Sequence, residues 1–267
     1  MTSPHTKSVH KQLQELLEGE PSPAQLNKAL RLLGKWRAKL IENTLVAQNG
    51  TKVQSGPFAG LDYAINASEG ARIPRLLGCY EKTLHPIFER IIAADPRLII
   101  DVGCAEGYYA VGLATRILNA TVWARDANEQ AQERCAELAE LNGVAGRVKI
   151  GGALTHADFD ICRAQHTVVI CDIEGAEAEL MDPEKAKGLR RADILIEVHE
   201  TGSEVSMLET LEERFAETHD TQRVHRRVST DSLPDWMEGL SDMDRLIALW
   251  EWRSVPTPWL WMVSKHQ

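Results

Sequence analysis

The stretch IIDVGCAEGYYAVGLA, residues 99–114, decides the fold of this chain. An apolar run ends in an acid, Asp101, turns at Gly103 and Gly107, and continues into an amphipathic segment. Glycine tolerates positive φ and lets a ligand approach the backbone, and the free amides at a helix start donate to polar or anionic groups. The pattern predicts a β-strand, a tight turn that can bind a ligand, and a helix. A plain strand-to-helix connection remains the alternative for such a turn.

Short apolar runs alternate with helical patterns on the C-terminal side of this stretch, which is typical of βαβ units and a parallel sheet. The predicted strands are 97–102, 121–125, 147–151, 166–172 and 192–200, and the predicted helices are 108–118, 128–141, 176–188 and 206–215. The tail is predicted to form two closing strands, in RVHRRV (223–228) and PWLWMVSK (258–265), around a helix at 241–252. Antiparallel edge strands are common on parallel sheets.

The N-terminal third has almost no strand signal. Apolar residues recur there at helical spacing, as in Leu26, Leu30, Leu33, Leu40 and Ile41, and a further helix is predicted over 81–94. Residues 49–78 are rich in glycine and predict a loop that covers a site. We therefore divide the chain into a helical extension with a cover loop, 1–95, and an α/β domain, 96–267.

Composition narrows the partners and the location. The net charge of −9 would repel a phosphate backbone, so nucleic acid is not an expected partner. No run of 18 apolar residues predicts a membrane span, and the polar N-terminus is unlike a secretory signal, so we expect a cytoplasmic protein with no membrane contact. The five cysteines have no CxxC spacing and are expected to be buried free thiols.

Three further strand ends carry residues that suit a nucleoside. Asp126 lies 25 residues after Asp101, where an acid can accept hydrogen bonds from two ribose hydroxyls, although it could instead cap the following helix. Gly152 and Ala153 are small enough for an adenine ring to lie against the backbone. Asp172 ends the fourth strand at the carboxyl edge, where open α/β sheets bind ligands.

An NAD-type domain is the main competitor for this pattern. The dinucleotide fingerprint needs GxGxxG to admit a pyrophosphate, whereas this turn reads GCAEG. We expect the Glu106 carboxylate to repel a phosphate at a cost on the order of 1 kcal/mol or more. A ligand without phosphate is therefore favoured.

DVGCAEGYY together with CDIEGAE resembles the FkbM-type family of class I methyltransferases. The upstream segments GPFAGLDY and LLGCYEKTLHP are also similar to bacterial members. The resemblance implies the sheet order 3-2-1-4-5-7-6 with an antiparallel last strand, and S-adenosylmethionine bound across the ends of strands one to four. The residues expected to bind this cofactor are Tyr80, Asp101, Gly103, Cys104, Ala105, Gly107, Tyr108, Asp126, Ala127, Gly152, Ala153 and Asp172.

Within this interpretation Asp101 receives the cofactor's ammonium group, and one of Tyr108 and Tyr109 faces the pocket while the other faces the core. The expected reaction is methyl transfer to a small-molecule acceptor, at oxygen rather than nitrogen. The alternatives are a protein that binds S-adenosylmethionine without turnover and, less favoured, an NAD-dependent oxidoreductase. A homodimer is compatible with this interpretation.

Acids and a histidine accumulate at the ends of strands four and five. Asp172, Glu197 and His199 are the predicted ligands of a divalent cation such as Mg²⁺, which would acidify an acceptor hydroxyl. Alternatively, His199 acts as the general base beside Asp172, because an imidazole titrates near neutral pH. In the plainest alternative, Glu174 and Glu177 only cap the following helix.

Overall fold

The chain forms a seven-stranded mixed sheet. A computed structural model describes residues 3–67, 70–200, 202, 205–228, 233–255 and 257–266. The strands are β1 (Leu98–Val102), β2 (Thr121–Arg125), β3 (Val148–Gly151), β4 (Thr167–Cys171), β5 (Asp193–Glu197), β6 (His219–Val224) and β7 (Trp259–Ser264). Their order is 3-2-1-4-5-7-6, with β1 to β5 parallel and β7 antiparallel to both neighbours. The predicted Rossmann-like methyltransferase topology is confirmed.

Helices flank the sheet and precede it. They are α1 (Pro4–Leu16), α2 (Pro23–Asn49), α3 (Arg72–Leu77), α4 (His85–Ala94), α5 (Tyr108–Arg116), α6 (Glu129–Leu141), α7 (Glu177–Leu180), α8 (Met207–Phe215) and α9 (Asp242–Leu249). Short 3-10 segments lie at Lys82–Leu84, His156–Arg163, Lys187–Arg191 and Asp235–Gly239. None of these helices is both long and apolar enough to span a bilayer.

The sheet separates two apolar cores because successive side chains of a strand point to opposite faces. Along β1, Ile99 belongs to the core beneath α4, α5 and α6, whereas Ile100 belongs to the opposite core beneath α8. All five residues of β1, β4 and β5 are buried, as expected for central parallel strands covered on both faces. The carboxyl ends of these strands therefore meet at one sheltered edge.

The N-terminal helices share a core with the sheet. Leu45 of α2, Phe58 of the loop and Phe88 of α4 are buried in the cluster that contains Ile99. Leu26, Leu30 and Leu33 have the helical spacing expected, yet their side chains are exposed. The division of the chain at residue 95 stays a prediction.

Two predicted elements are wrong in extent. The helix expected over 176–188 is interrupted after α7, because Pro183 lacks an amide hydrogen and disfavours helical geometry at the residue before it. The strand expected at 223–228 lies earlier, as β6. This edge strand exposes its four central residues, so no alternation of apolar and polar residues marks it in the sequence.

Candidate functional site

A cavity of about 980 Å³ opens at the carboxyl ends of β1, β2, β4 and β5. The predicted residues that line it are Tyr80, Asp101, Gly103, Cys104, Ala105, Tyr108, Asp126, Ala127, Ala153, Asp172, Glu197 and His199. Gly107 and Gly152 are not among its lining residues in the described part of the chain. The fold therefore places most of the predicted site residues at one edge of the sheet.

The two glycines of the turn are required by contacts inside the protein. Gly103 has a φ of +81°, and a Cβ there would lie 1.7 Å from the carbonyl oxygen of Asp172. Gly107 has a φ of +89°, and its Cβ would lie 2.6 Å from Cys135 Sγ. Both positions combine a left-handed backbone with a close approach that only glycine permits. The glycines thus shape the turn, and Gly103 also packs β1 against the loop that follows β4.

Asp126 connects the turn to the end of β2. Its Oδ2 accepts a hydrogen bond from the Ala105 amide at 2.9 Å, and its Oδ1 accepts one from the Asn128 amide at 2.8 Å. The cap of α6 is Asn128, whose side chain accepts from the Gln130 amide. Asp126 is half-buried and lines the cavity, so its carboxylate borders the cavity beside the turn.

Asp101 is a buried acid without an ion-pair partner among the described residues. It is 2% exposed, and its Oδ2 has no hydrogen-bond partner in the part of the chain that the structure describes. Burial raises the pKa of Asp101 to about 7, opposed by the Ala110 amide and reinforced by the Asp172, Asp126 and Glu106 carboxylates. A cationic ligand group in the cavity would satisfy this carboxylate.

Glu106, in contrast, is neutralised within the protein. It is fully buried, lies 3.2 Å from Arg75 Nε, and accepts a hydrogen bond of 2.5 Å from the Tyr63 hydroxyl. The expected repulsion between this carboxylate and a phosphate is therefore wrong, because the charge is already paired. The glycine spacing of the turn is the argument that still disfavours a dinucleotide.

Aromatic rings form one wall of the cavity. Tyr108 and Tyr109 both line it and both also pack against the apolar core, so which ring faces the cofactor stays a prediction. Tyr108 meets Phe58 edge-on at 5.3 Å between ring centroids, and the Arg75 guanidinium lies 4.1 Å from the centroid of the Tyr80 ring. The rings fill the side of the cavity that faces the N-terminal helices.

A histidine lies among four carboxylates at the ends of β4 and β5. His199 Nδ1 is 2.7 Å from Glu177 Oε1, and His199 Nε2 is 3.5 Å from Glu174 Oε2, 3.9 Å from Asp172 Oδ1 and 4.0 Å from Glu197 Oε1. Burial lowers the pKa of His199, but the Glu177, Asp172 and Glu174 carboxylates outweigh it, and the net effect raises the pKa. The imidazole is held by one acid and faces three more.

Glu197 is engaged differently from the other acids. It is 1% exposed and contacts Arg253 and the Thr257 hydroxyl. Burial and the Asp172 carboxylate raise the pKa of Glu197, whereas Thr257 favours its charged form.

The three residues whose ligand atoms lie within 4.8 Å of one another are Asp172, Glu174 and His199. The grouping differs from the predicted metal set by Glu174 in place of Glu197.

The C-terminal segment before β7 also lines the cavity, through residues 251–255 and Thr257. Arg253 there contacts Glu81 from the N-terminal extension as well as Glu197. The Lys35 ammonium lies 4.5 Å from the centroid of the Trp252 ring, and both residues line the cavity. Sequence reasoning missed Arg75, Lys35 and Arg253, because no local motif marks a residue whose partners are distant in the chain.

No protein-family model matches this sequence, and no curated protein matches it. Membership of the FkbM-type group therefore stays a prediction.

Among solved structures, an O-methyltransferase from Bacillus cereus in complex with SAH is 12% identical, with 99% of this chain and 92% of that chain covered at a TM-score of 0.44. A putative O-methyltransferase from Klebsiella pneumoniae is 12% identical, with 96% of each chain covered and a TM-score of 0.44. A putative precorrin-6Y C5,15-methyltransferase targeted domain from Corynebacterium diphtheriae is 16% identical, with 70% of this chain and 98% of that chain covered at 0.43. Similarity at this level carries no information about activity, which depends on the site itself.

Proposed function

We propose that this protein is an S-adenosylmethionine-dependent methyltransferase that acts on a small-molecule acceptor. The observation that carries the proposal is the buried Asp101 carboxylate, whose Oδ2 has no hydrogen-bond partner among the described residues, beside a turn whose glycines lack dinucleotide spacing. S-adenosylmethionine contains no phosphate and has two cationic groups, an ammonium and a sulfonium. A buried carboxylate that faces such a cation regains the charge interaction lost on burial.

Each part of the cofactor has a candidate partner in the cavity. Asp101 takes the ammonium, Asp126 accepts from the ribose hydroxyls with oxygen lone pairs that Ala105 and Asn128 leave free, and Ala153 lies against the adenine. Cys104 and Ala127 border the same space, and Tyr80 and Tyr108 form the aromatic wall. The volume of about 980 Å³ lies at the upper end for small-molecule sites, which leaves room for an acceptor beside the cofactor.

The transfer itself asks the protein mainly to align the reactants. The acceptor oxygen attacks the methyl carbon, the new O–C bond forms as the C–S bond breaks, and the sulfur keeps that electron pair as S-adenosylhomocysteine. The acceptor's proton passes to His199 Nε2, which faces the cavity, and Asp172 stabilises the imidazolium that results. The cytoplasmic location and a homodimer stay predictions.

In an alternative arrangement, in which His199 Nε2 binds a metal ion instead of accepting the proton, the acid and histidine cluster fits a divalent cation. Asp172 Oδ1 has no hydrogen-bond partner among the described residues, and its neighbours Glu174 and His199 supply one carboxylate and one imidazole ligand. Glu197 is occupied by Arg253 and Thr257, so Glu174 suits the ion better. A bound Mg²⁺ would lower the pKa of an acceptor hydroxyl.

Calorimetry tests the cofactor assignment directly. We expect S-adenosylhomocysteine to bind and to raise the melting temperature, and NAD to do neither. Asp126→Ala should weaken the binding about tenfold to a hundredfold, since a hydrogen bond to a charged group contributes about 1.5–3 kcal/mol. No affinity for S-adenosylhomocysteine in the folded wild-type protein would refute the proposal.

Turnover separates an enzyme from a protein that only binds the cofactor. His199→Ala and Asp172→Ala should abolish methyl transfer while the affinity for S-adenosylhomocysteine persists. Tight cofactor binding without transfer to any member of a broad acceptor panel would favour the non-catalytic alternative. Activity that is unchanged after EDTA treatment would exclude an essential cation.

A further inference from the structure

We propose that Glu177 is a positioning residue that holds His199 with its proton on Nδ1, so that Nε2 faces the cavity as a proton acceptor. The contribution to methyl transfer rests on the function proposed above, but the geometry of the pair does not. Glu177 lies at the start of α7, after the loop that leaves β4, and His199 follows β5. Two neighbouring strand ends thus bring an acid and a base together.

The contact between the two side chains is short and sheltered. Glu177 Oε1 lies 2.7 Å from His199 Nδ1, which is the length of a charge-assisted hydrogen bond. Glu177 has no exposed surface, and the His199 side chain is only 15% exposed. Water competes little for a hydrogen bond in such surroundings, so the pair has one favoured geometry.

Backbone amides keep the Glu177 carboxylate in its charged form. Oε1 also accepts from the Ile173 amide at 3.3 Å and the Gly175 amide at 3.1 Å. Two N–H donors on one carboxylate oxygen favour its ionised form. An ionised carboxylate only accepts hydrogen bonds, so the ring nitrogen that faces it must carry the proton.

The other ring nitrogen is then fixed by exclusion. Nε2 has no contact as short as that of Nδ1: its distances to the Glu174, Asp172 and Glu197 oxygens run from 3.5 to 4.0 Å. In neutral imidazole, protonation of Nδ1 leaves the lone pair on Nε2. Such second-layer carboxylates set the tautomer and orientation of catalytic and metal-binding histidines.

The loop between β4 and α7 adopts a left-handed backbone beside this contact. Glu174 has a φ of +55° and Gly175 a φ of +109°, and the left-handed backbone at a non-glycine residue is uncommon. A carboxylate that merely capped α7 would need no histidine at this distance. A positioning role of Glu177 differs from a purely structural role in one measurable respect, because only the positioning role controls the tautomer of His199.

Nitrogen NMR on the full chain labelled with ¹⁵N-histidine tests the tautomer. Spectra are recorded at alkaline pH, where the imidazole is neutral, and His199→Gln identifies the signal. We expect the Nδ1–H tautomer in the wild type and in the matched control Glu184→Gln, whose side chain is exposed and does not line the cavity. Glu177→Met, which removes the oxygens that can accept from Nδ1–H, should make Nε2–H the major form, whereas Glu177→Asp should partly keep Nδ1–H.

The tautomer of the wild type is decisive even where a variant does not fold. An Nε2–H tautomer in the unmodified protein, or an Nδ1–H tautomer that persists in folded Glu177→Met, overturns the proposal. A failure of the cofactor assignment is distinguishable, since it appears as absent binding of S-adenosylhomocysteine and leaves the NMR result unaffected.

Kinetics then tests the link to catalysis. Glu177→Gln should lower kcat by about tenfold to a hundredfold, the usual effect of removing a second-layer partner, with the KM for S-adenosylmethionine unchanged. Glu177→Asp should recover part of that loss. A rise of KM alone would contradict a positioning role at the reacting end of the cavity.

Discussion

Two buried acids lie five residues apart in the stretch around the turn, and their surroundings differ completely. Glu106 is paired with Arg75 and the Tyr63 hydroxyl, so its charge is satisfied inside the protein. Asp101 is buried to nearly the same degree, yet one of its oxygens has no partner among the described residues. The first acid joins the N-terminal extension to the turn, and the second is left for a ligand. Burial alone therefore does not separate these two acids, whereas the presence or absence of a partner does.

Removing the ion-pair partner of Glu106 should have the largest effect on stability. Arg75→Leu leaves the Glu106 carboxylate buried and uncompensated, which should lower the free energy of unfolding by about 3–5 kcal/mol. Denaturant unfolding followed by circular dichroism measures the change. Adding Glu106→Gln to the same chain should recover part of the loss.

Arg223→Leu is the matched comparison for that substitution. Arg223 forms an ion pair with Glu212 on the exposed side of β6, where solvent screens the charges. Its removal should leave the unfolding free energy almost unchanged. Equal losses from Arg75→Leu and Arg223→Leu would show that burial of the Arg75–Glu106 pair has no special weight.

Asp101→Asn should separate stability from binding. Removing the charge should weaken the affinity for S-adenosylhomocysteine at pH 8 about tenfold to a hundredfold, because a charged partner of the ammonium is lost. The asparagine keeps an oxygen for the Ala110 amide and no longer requires a buried charge. Calorimetry measures the affinity, which we expect to fall. Denaturant unfolding of the same protein sample measures the unfolding free energy, which we expect to rise because no charge is buried.

The stability of the free wild-type protein should depend on pH through the same residue. Burial raises the pKa of Asp101 to about 7, so between pH 4 and 7 the folded state holds a proton that the unfolded state has released. This group therefore lowers the unfolding free energy as pH rises, by about 1.4 kcal/mol per pH unit in that window, and has no further effect above it. The difference between Asp101→Asn and the wild type should grow across the window and then level off. A constant difference would mean that Asp101 is already ionised at low pH.

The smallest effect is expected at Gly152. No atom lies within 4 Å of the position that a Cβ would take there, and its φ is not in the left-handed region, so Gly152→Ala should change the unfolding free energy by less than about 1 kcal/mol. Because Gly152 does not line the cavity, the affinity for S-adenosylhomocysteine should also persist. A clear loss of affinity would restore Gly152 to the adenine site.

Local patterns in the sequence were enough for the central part of the fold. β1, the turn and α5 follow from an apolar run, two glycines and helical periodicity, all within the stretch from Ile99 to Ala114. The five parallel strands also fall where short apolar runs predict them. The clearest are β1, β4 and β5, because strands that are buried on both faces consist of nearly uninterrupted apolar residues. Acids at the strand ends predict the cavity because parallel strands place their carboxyl ends together.

Contacts between distant segments were not accessible in that way. Arg75 meets Glu106 across 31 residues, and Arg253 meets Glu81 across 172, so neither pair has a spacing that a sequence pattern could reveal. The metal grouping shifted from Glu197 to Glu174 for the same reason, because Arg253 occupies Glu197. The tail was located only roughly, since an exposed edge strand such as β6 gives little periodicity.

The close approach of Gly103 to the Asp172 carbonyl has a mechanical consequence. The bend that follows β1 and the loop that follows β4 leave no gap between their backbones, so neither can shift without displacing the other. A methyl donor seated against the first and an acceptor seated against the second would keep one separation through every turnover. An opening that admits substrates would then involve other parts of the cavity lining, such as Tyr80 and residues 251–255.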